Sequence, residues 1–164
     1  MLLTVSLILA FGATSYASTP FKSLNIKYHV STDATNWFQA FINCKSAGME
    51  LASITTQEEQ HNLEHFMKEH GYNEGYWLSG TNLGDGNFYW ASTGTKVVYA
   101  KWLQNQPDDA KLAENDYKGE NCIQWGIYRS SPNPIGWNDL MCKYQLKYIC
   151  QDYSYCSPAS NFVK

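Results

Sequence analysis

A chain of 164 residues has room for one domain with a real core and would leave a second domain cramped. Charge is near balance, 12 basic against 15 acidic residues for a net charge of -3, which gives no basis for nucleic acid or an anionic membrane as partner. Aromatic residues make up 15%, with 6 Trp and 12 Tyr, the composition of a core built from large rings with polar handles.

Residues 2–13 form an apolar run that ends in Thr14-Ser15-Tyr16-Ala17, where Ser15 and Ala17 are the small residues a signal peptidase accepts. The run falls short of the roughly 20 apolar residues that span a bilayer, although no Lys or Arg precedes it. Residues 1–17 are therefore expected to be a signal peptide, with a single domain over 18–164, its core near 21–151, and secretion as the destination. A buried N-terminal strand is the competing reading.

Next, residues 21–30 set Leu24, Ile26, Tyr28 and Val30 on one side, as a half-buried strand at a sheet edge does. Residues 35–48 carry Trp37, Phe41, Cys44 and Ala47 at helical spacing and stop at Gly48. A second helix is announced by Thr55 and Thr56 ahead of Glu58 and Glu59, a capping-box arrangement, with Leu63, Phe66 and Met67 as its buried face and Gly71 as its end. His61, His65 and His70 lie along this helix. No HExxH glutamate accompanies His61, so the three read as solvated side chains rather than ligands.

From Tyr76 the pattern changes to short β-like runs, YWLSG, FYWAS, CIQWGI and KYICQ, separated by Gly, Asn, Asp and Pro, with Trp77 and Trp90 in the core. There is no internal repeat, low-complexity tract or linker. In an exported chain Cys44, Cys122, Cys142, Cys150 and Cys156 read as disulfide-forming residues. Spacing alone leaves their pairing open, and a zinc site lacks the CxxC pair or Cys/His cluster it needs.

Most of the polar residues a binding site needs lie in residues 103–142, LQNQPDDAKLAENDYKGENCIQWGIYRSSPNPIGWNDLMC. Gln106 and Asn138 offer amide oxygens, Asp108, Glu120 and Asp139 offer carboxylates, and the backbone carbonyl of Asp139 adds a further donor. A calcium ion takes roughly 6–8 oxygen ligands, which leaves about two positions for adjacent hydroxyls of a sugar. Without the cation those carboxylates repel one another and the loop loosens. Paired carboxylates such as Glu120 and Asp139 also serve glycoside hydrolysis, but amides and several carboxylates together suit a cation better than a proton shuttle.

The order Gln106-Pro107-Asp108, then Glu120 just before Cys122, then Trp137-Asn138-Asp139 ahead of Cys142, resembles the calcium-and-sugar site of a C-type lectin-like domain. Tyr76-Trp77-Leu78-Ser79-Gly80 resembles the WIGL segment of that family. The resemblance implies an α+β fold with two helices, short antiparallel β-sheets and a long loop region. It also implies disulfides Cys44–Cys150 and Cys122–Cys142, which leaves Cys156 unpaired and able to link two copies as a homodimer. A cis bond before Pro107 is implied as well, turning the flanking side chains toward one point. The function implied is that of a calcium-dependent, non-enzymatic lectin.

Within the family, QPD points to galactose or N-acetylgalactosamine, where EPN points to mannose. Two places depart from the galactose-type pattern. Ala110 stands where a stacking tryptophan usually follows QPDD, which makes Tyr117 the substitute platform. An auxiliary calcium site would draw on Asp85, Asp109 and Glu120, but Asn121 replaces an acidic residue, so one calcium is expected and a second stays open. The reading is a secreted lectin resembling soluble galactose-type lectins of invertebrates, with recognition of microbial or self glycans implied by the family. A lectin-like domain that binds a protein, ice or mineral surface is the alternative.

Overall fold

The computed structural model describes residues 25–115, 118–128 and 134–154. The expected signal peptide, Tyr117 and Cys156 lie outside the described residues. The elements run β1 (Asn25–Val30), α1 (Trp37–Ser46), β2 (Glu50–Leu51), α2 (Gln57–Glu69), β3 (Tyr76–Thr81), β4 (Tyr89–Trp90), β5 (Thr95–Lys96), β6 (Cys122–Ile127), β7 (Ile135–Leu140) and β8 (Lys147–Ser154). Strands pair in the order β1-β8-β3-β4-β5, with β2 added on β8, β6 on β3 and β7 on β6. The pairings are antiparallel except β3 with β8, which is parallel. This is the α+β fold expected, with β1 at the sheet edge.

Both helices begin and end for local reasons. The Asn36 carboxamide caps α1 by accepting from the Gln39 N–H at 3.0 Å, and Gly48, at φ 73°, takes the left-handed conformation that ends the helical run. At α2 the Thr56 hydroxyl accepts from the Glu59 N–H at 3.1 Å while the Glu59 carboxylate reaches back to the Thr55 N–H at 2.6 Å, the expected capping box displaced by one residue at its return arm. The buried face of α2 is Gln60, Leu63 and Met67; Phe66, expected inside, is only partly covered, and the polar Gln60 takes the inner position.

Gln60 is tolerated there because it is paired. Its Oε1 accepts the Trp137 indole N–H at 2.9 Å, and its Nε2 donates to Glu64 at 2.7 Å. Trp137 in turn meets Trp90 edge to face, with ring centroids 5.4 Å apart, and Trp102 in the same manner at 5.9 Å. A second apolar cluster gathers Trp37, Trp77 and Leu51 around the Cys44–Cys150 bond. The indoles of Trp37 and Trp77 donate to the carbonyls of Leu78 and Thr35, which joins α1 to β3.

Both disulfides have the implied pairing and are intramolecular, Cys44 with Cys150 and Cys122 with Cys142. Two features of the fold then place the loop that carries the donors. Cys122–Cys142 clamps the start of β6 to the turn after β7 across 20 residues. Upstream, residues 101–103 run beside β7, with the Trp137 N–H on the Lys101 carbonyl at 2.8 Å and the Leu103 N–H on the Trp137 carbonyl at 2.9 Å. Gly136 permits that approach, since a Cβ there would stand 2.9 Å from the Lys101 carbonyl oxygen. The segment around Trp137-Asn138-Asp139, read from sequence as part of a polar loop, is thus a full strand paired along β6.

Candidate metal and ligand site

The loop from Leu103 turns sharply. The Gln106 N–H closes on the Leu103 carbonyl at 3.0 Å, Asn105 and Asp109 adopt φ of 66° and 48°, and the Gln106–Pro107 bond is cis, as the resemblance implied. Asn and Asp are the non-glycine residues that enter the left-handed region most readily. Two backbone amides then face β7. The Asp108 N–H donates to Asp139 Oδ1 at 3.0 Å and the Asp109 N–H to Asp139 Oδ2 at 2.9 Å.

Asp139 therefore does more than the sequence reading assigned to it. It is a prospective ligand, and it also fastens the donor loop to the sheet. It is 1% exposed, and burial raises its pKa while the two amide bonds oppose that rise.

Glu120 approaches from the far end of the loop. Its N–H donates to Asp109 Oδ1 at 3.0 Å, and Gly119 before it, at φ 82°, leaves no room for a side chain, since a Cβ would fall 1.9 Å from that same oxygen. The Glu120 side chain is 5% exposed. Burial first, and then the charges of Asp139 and Asp108, push its carboxyl from 4.5 up to about 7.

Asp108, Glu120 and Asp139 present carboxylate oxygens that all lie within 4.8 Å of one another, and among the described residues none of the three forms an ion pair. Gln106 contributes a further sign of strain: its Oε1 is buried and accepts no hydrogen bond. Asn138 stands half-buried on β7 opposite Gln124. The structure thus brings the carboxylates together and leaves an amide oxygen of the same loop unsatisfied. All these groups are hard oxygen donors, with no thiolate or imidazole among them, a set that suits calcium rather than zinc or copper.

The second set, Asp85, Asp109 and Glu120, is not gathered in this way. Among the described residues the one group of three or more acidic, His or Cys side chains with converging ligand atoms is Asp108, Glu120 and Asp139. Asp109 bonds the Lys111 ammonium at 2.6 Å, and Asp85 accepts from the Asn87 N–H and the Tyr89 hydroxyl. The Asp109 charge is met by Lys111, and the Asp85 carboxylate is held by uncharged donors of its own turn. Lys111 and Gly119 were the residues missed; the lone glycine of the loop before Cys122 was the available signal. The helix residues His61, His65 and His70 are exposed and outside the acidic group.

Comparison with known proteins follows the same lines. The family model described as the lectin C-type domain matches residues 33–152. The chain is 32% identical over 139 residues to C-type lectin 37Da of Drosophila melanogaster, a match covering 81% of this chain and 72% of that protein. It is 31% identical over 126 residues to a perlucin-like protein of Mytilus galloprovincialis, covering 75% and 74%. Among solved structures, the Kupffer cell C-type lectin receptor Clec4f superposes with a TM-score of 0.64 at 27% identity, covering 80% of this chain and 81% of that one. The likeness to C-type lectins sets the glycosidase alternative aside. Two helices, a mixed sheet, two disulfides and a calcium-suited donor loop, matched along most of the length by these proteins, make the chain a member of the C-type lectin domain family.

Proposed function

We propose that the chain is a secreted, calcium-dependent lectin with a preference for galactose or N-acetylgalactosamine. The observation that carries the calcium half is the convergence of Asp108, Glu120 and Asp139 without an ion pair, in the same loop as a buried amide oxygen of Gln106 that has no partner. Two buried carboxylates, Glu120 and Asp139, with the exposed Asp108 beside them, call for a cation, since burying unpaired charge is costly. Gln106, Asp108, Glu120, Asn138 and Asp139 would hold the ion, which when bound neutralises them and offers open coordination positions to neighbouring hydroxyls. Asp139 and Asp109 orient the loop through the backbone amides of Asp108, Asp109 and Glu120.

The sugar half rests on the order amide then carboxylate at Gln106 and Asp108. That order presents donor and acceptor to an axial–equatorial hydroxyl pair in the sense opposite to the EPN order. Ala110 withholds a stacking ring, so affinity is modest, and Tyr117 is the substitute platform. The lectin names among the relatives support glycan recognition as the role, which we assign to microbial or self surfaces. Residues 1–17 act as the signal peptide, and Cys156 links two chains; N-terminal sequencing of secreted protein and non-reducing gels of Cys156→Ser check the two points.

A glycan array with and without a chelator tests the whole. Binding to terminal galactose that disappears in the chelator and is competed by galactose better than by mannose is the expected result. Binding that survives the chelator overturns the calcium half, and better competition by mannose overturns the sugar half.

A further inference from the structure

A line of polar contacts joins α2 to β7, the strand that carries two of the expected donors. The Trp137 indole N–H donates to Gln60 Oε1 at 2.9 Å, Gln60 Nε2 donates to Glu64 Oε1 at 2.7 Å, and the same Glu64 oxygen accepts from the Lys101 ammonium. Gln60 and Trp137 are fully buried. A buried amide engaged at both its oxygen and its nitrogen is held to one orientation, so Gln60 fixes the indole in turn.

Trp137 is where that constraint reaches the site. Trp137 and Asp139 lie two residues apart and so share one face of β7, with Asn138 between them on the other. Asp139 in turn holds the Asp108 and Asp109 amides. The Trp137 backbone also bonds the Lys101 carbonyl and the Leu103 N–H, on the segment that opens the donor loop. Lys101 is thus held twice, its ammonium on Glu64 and its carbonyl on Trp137, and the line closes into a circuit between α2, β7 and the loop.

We infer that Gln60 is a positioning residue for the calcium site: by setting the Trp137 indole it sets the stretch of β7 that bears Asn138 and Asp139, without touching an ion. Calcium–oxygen distances fall within about 2.3–2.6 Å, so a small displacement of that stretch weakens ligation, as the loss of an outer partner does at metal sites in general. The inference rests on the calcium reading of the loop for its functional meaning. Its mechanical part, that α2 governs how firmly the donor loop is fastened, rests on the hydrogen bonds alone.

Gln60→Met keeps the length of the side chain and strands the Trp137 N–H. Amide hydrogen exchange of the full chain in chelator reads the fastening of the loop through the Asp108 and Asp109 N–H groups, with the paired amides of β1 and β8 as the remote control. The two loop amides should exchange about tenfold faster while the control amides keep their rates. Calcium affinity of the same variant should fall by about tenfold. Gln60→Glu combined with Glu64→Gln exchanges the two roles, so that a carboxylate accepts the indole N–H and an amide donates to it, and should restore both readouts. Should Gln60→Met fail to fold, Lys101→Met loosens the circuit from its part-exposed end, and the same two amides should lead. Loop amides at wild-type rates, equal acceleration in β1 and β8, calcium affinity equal to wild type, or a double variant that restores neither readout would each overturn the proposal. A wild-type chain that takes up no calcium, with the amide pattern as expected, would strike the lectin reading and leave the coupling from α2 to the loop supported.

Discussion

Replacing Glu120 by Gln removes one charge from the acidic group and keeps the shape of the side chain. In the wild-type chain the Glu120 carboxyl stands at about 7 rather than 4.5 because it is buried and faces Asp139 and Asp108. A carboxyl raised in the folded state resists ionisation there but not in the unfolded chain. In the absence of a cation, its contribution to stability is therefore complete below about 4.5 and is lost as pH rises through about 7. The interval between those values corresponds to ~3 kcal/mol at ~1.4 kcal/mol per decade of proton concentration. For a chain of this length each kcal/mol moves the melting temperature by ~2–4 °C, so the full effect is on the order of 10 °C. Thermal melts in chelator at about pH 4 and about pH 8 would measure it. Glu120→Gln should melt above wild type at the higher pH, and the two should converge at the lower. Added calcium should raise wild type and do much less for the mutant. A mutant no more stable than wild type at high pH in chelator would refute the idea that the acidic group is electrostatically strained.

Other expected outcomes concern scaffold, loop and specificity. Trp77→Ala removes a fully buried ring and its bond to the Thr35 carbonyl, and should cost ~3–5 kcal/mol in a denaturant melt whether or not calcium is present. Gly119→Ala forces a side chain into the left-handed region and against the Asp109 carboxylate, so it should cost at least ~1 kcal/mol and weaken calcium by displacing the acceptor of the Glu120 N–H. Asp139→Ala removes a ligand and frees the Asp108 and Asp109 amides together; circular dichroism should show an intact core while the calcium-induced rise in melting temperature vanishes. Gln106→Glu with Asp108→Asn should move monosaccharide competition from galactose toward mannose.

Much of the fold was legible because its signals are local. The capping residues of α2, the stop at Gly48 and the short β-like run around Trp77 each depend on a few neighbouring side chains. β7 was hidden because Asn138 and Asp139 look like loop donors until their pairing with Gln124 and Ile123 is known. Gln60 was missed for a related reason: a polar residue at a helix inner position is favourable only when a distant partner, here the Trp137 indole, supplies the bond. At the site, residue types announced the donors, and the resemblance supplied their grouping. The double duty of Asp139 and the local neutralisation of Asp109 by Lys111 depend on contacts between segments and loop geometry that no motif records.

Calcium titration calorimetry on the secreted protein tests the central claim most directly. One ion per chain should bind with a dissociation constant of about 10⁻⁴ to 10⁻³ M, the range of extracellular calcium modules. The heat should weaken as pH falls below about 7, where protons compete for Glu120, and should be lost in Glu120→Gln. No calcium heat at millimolar concentrations, or a wild-type isotherm that Glu120→Gln reproduces, would contradict the account.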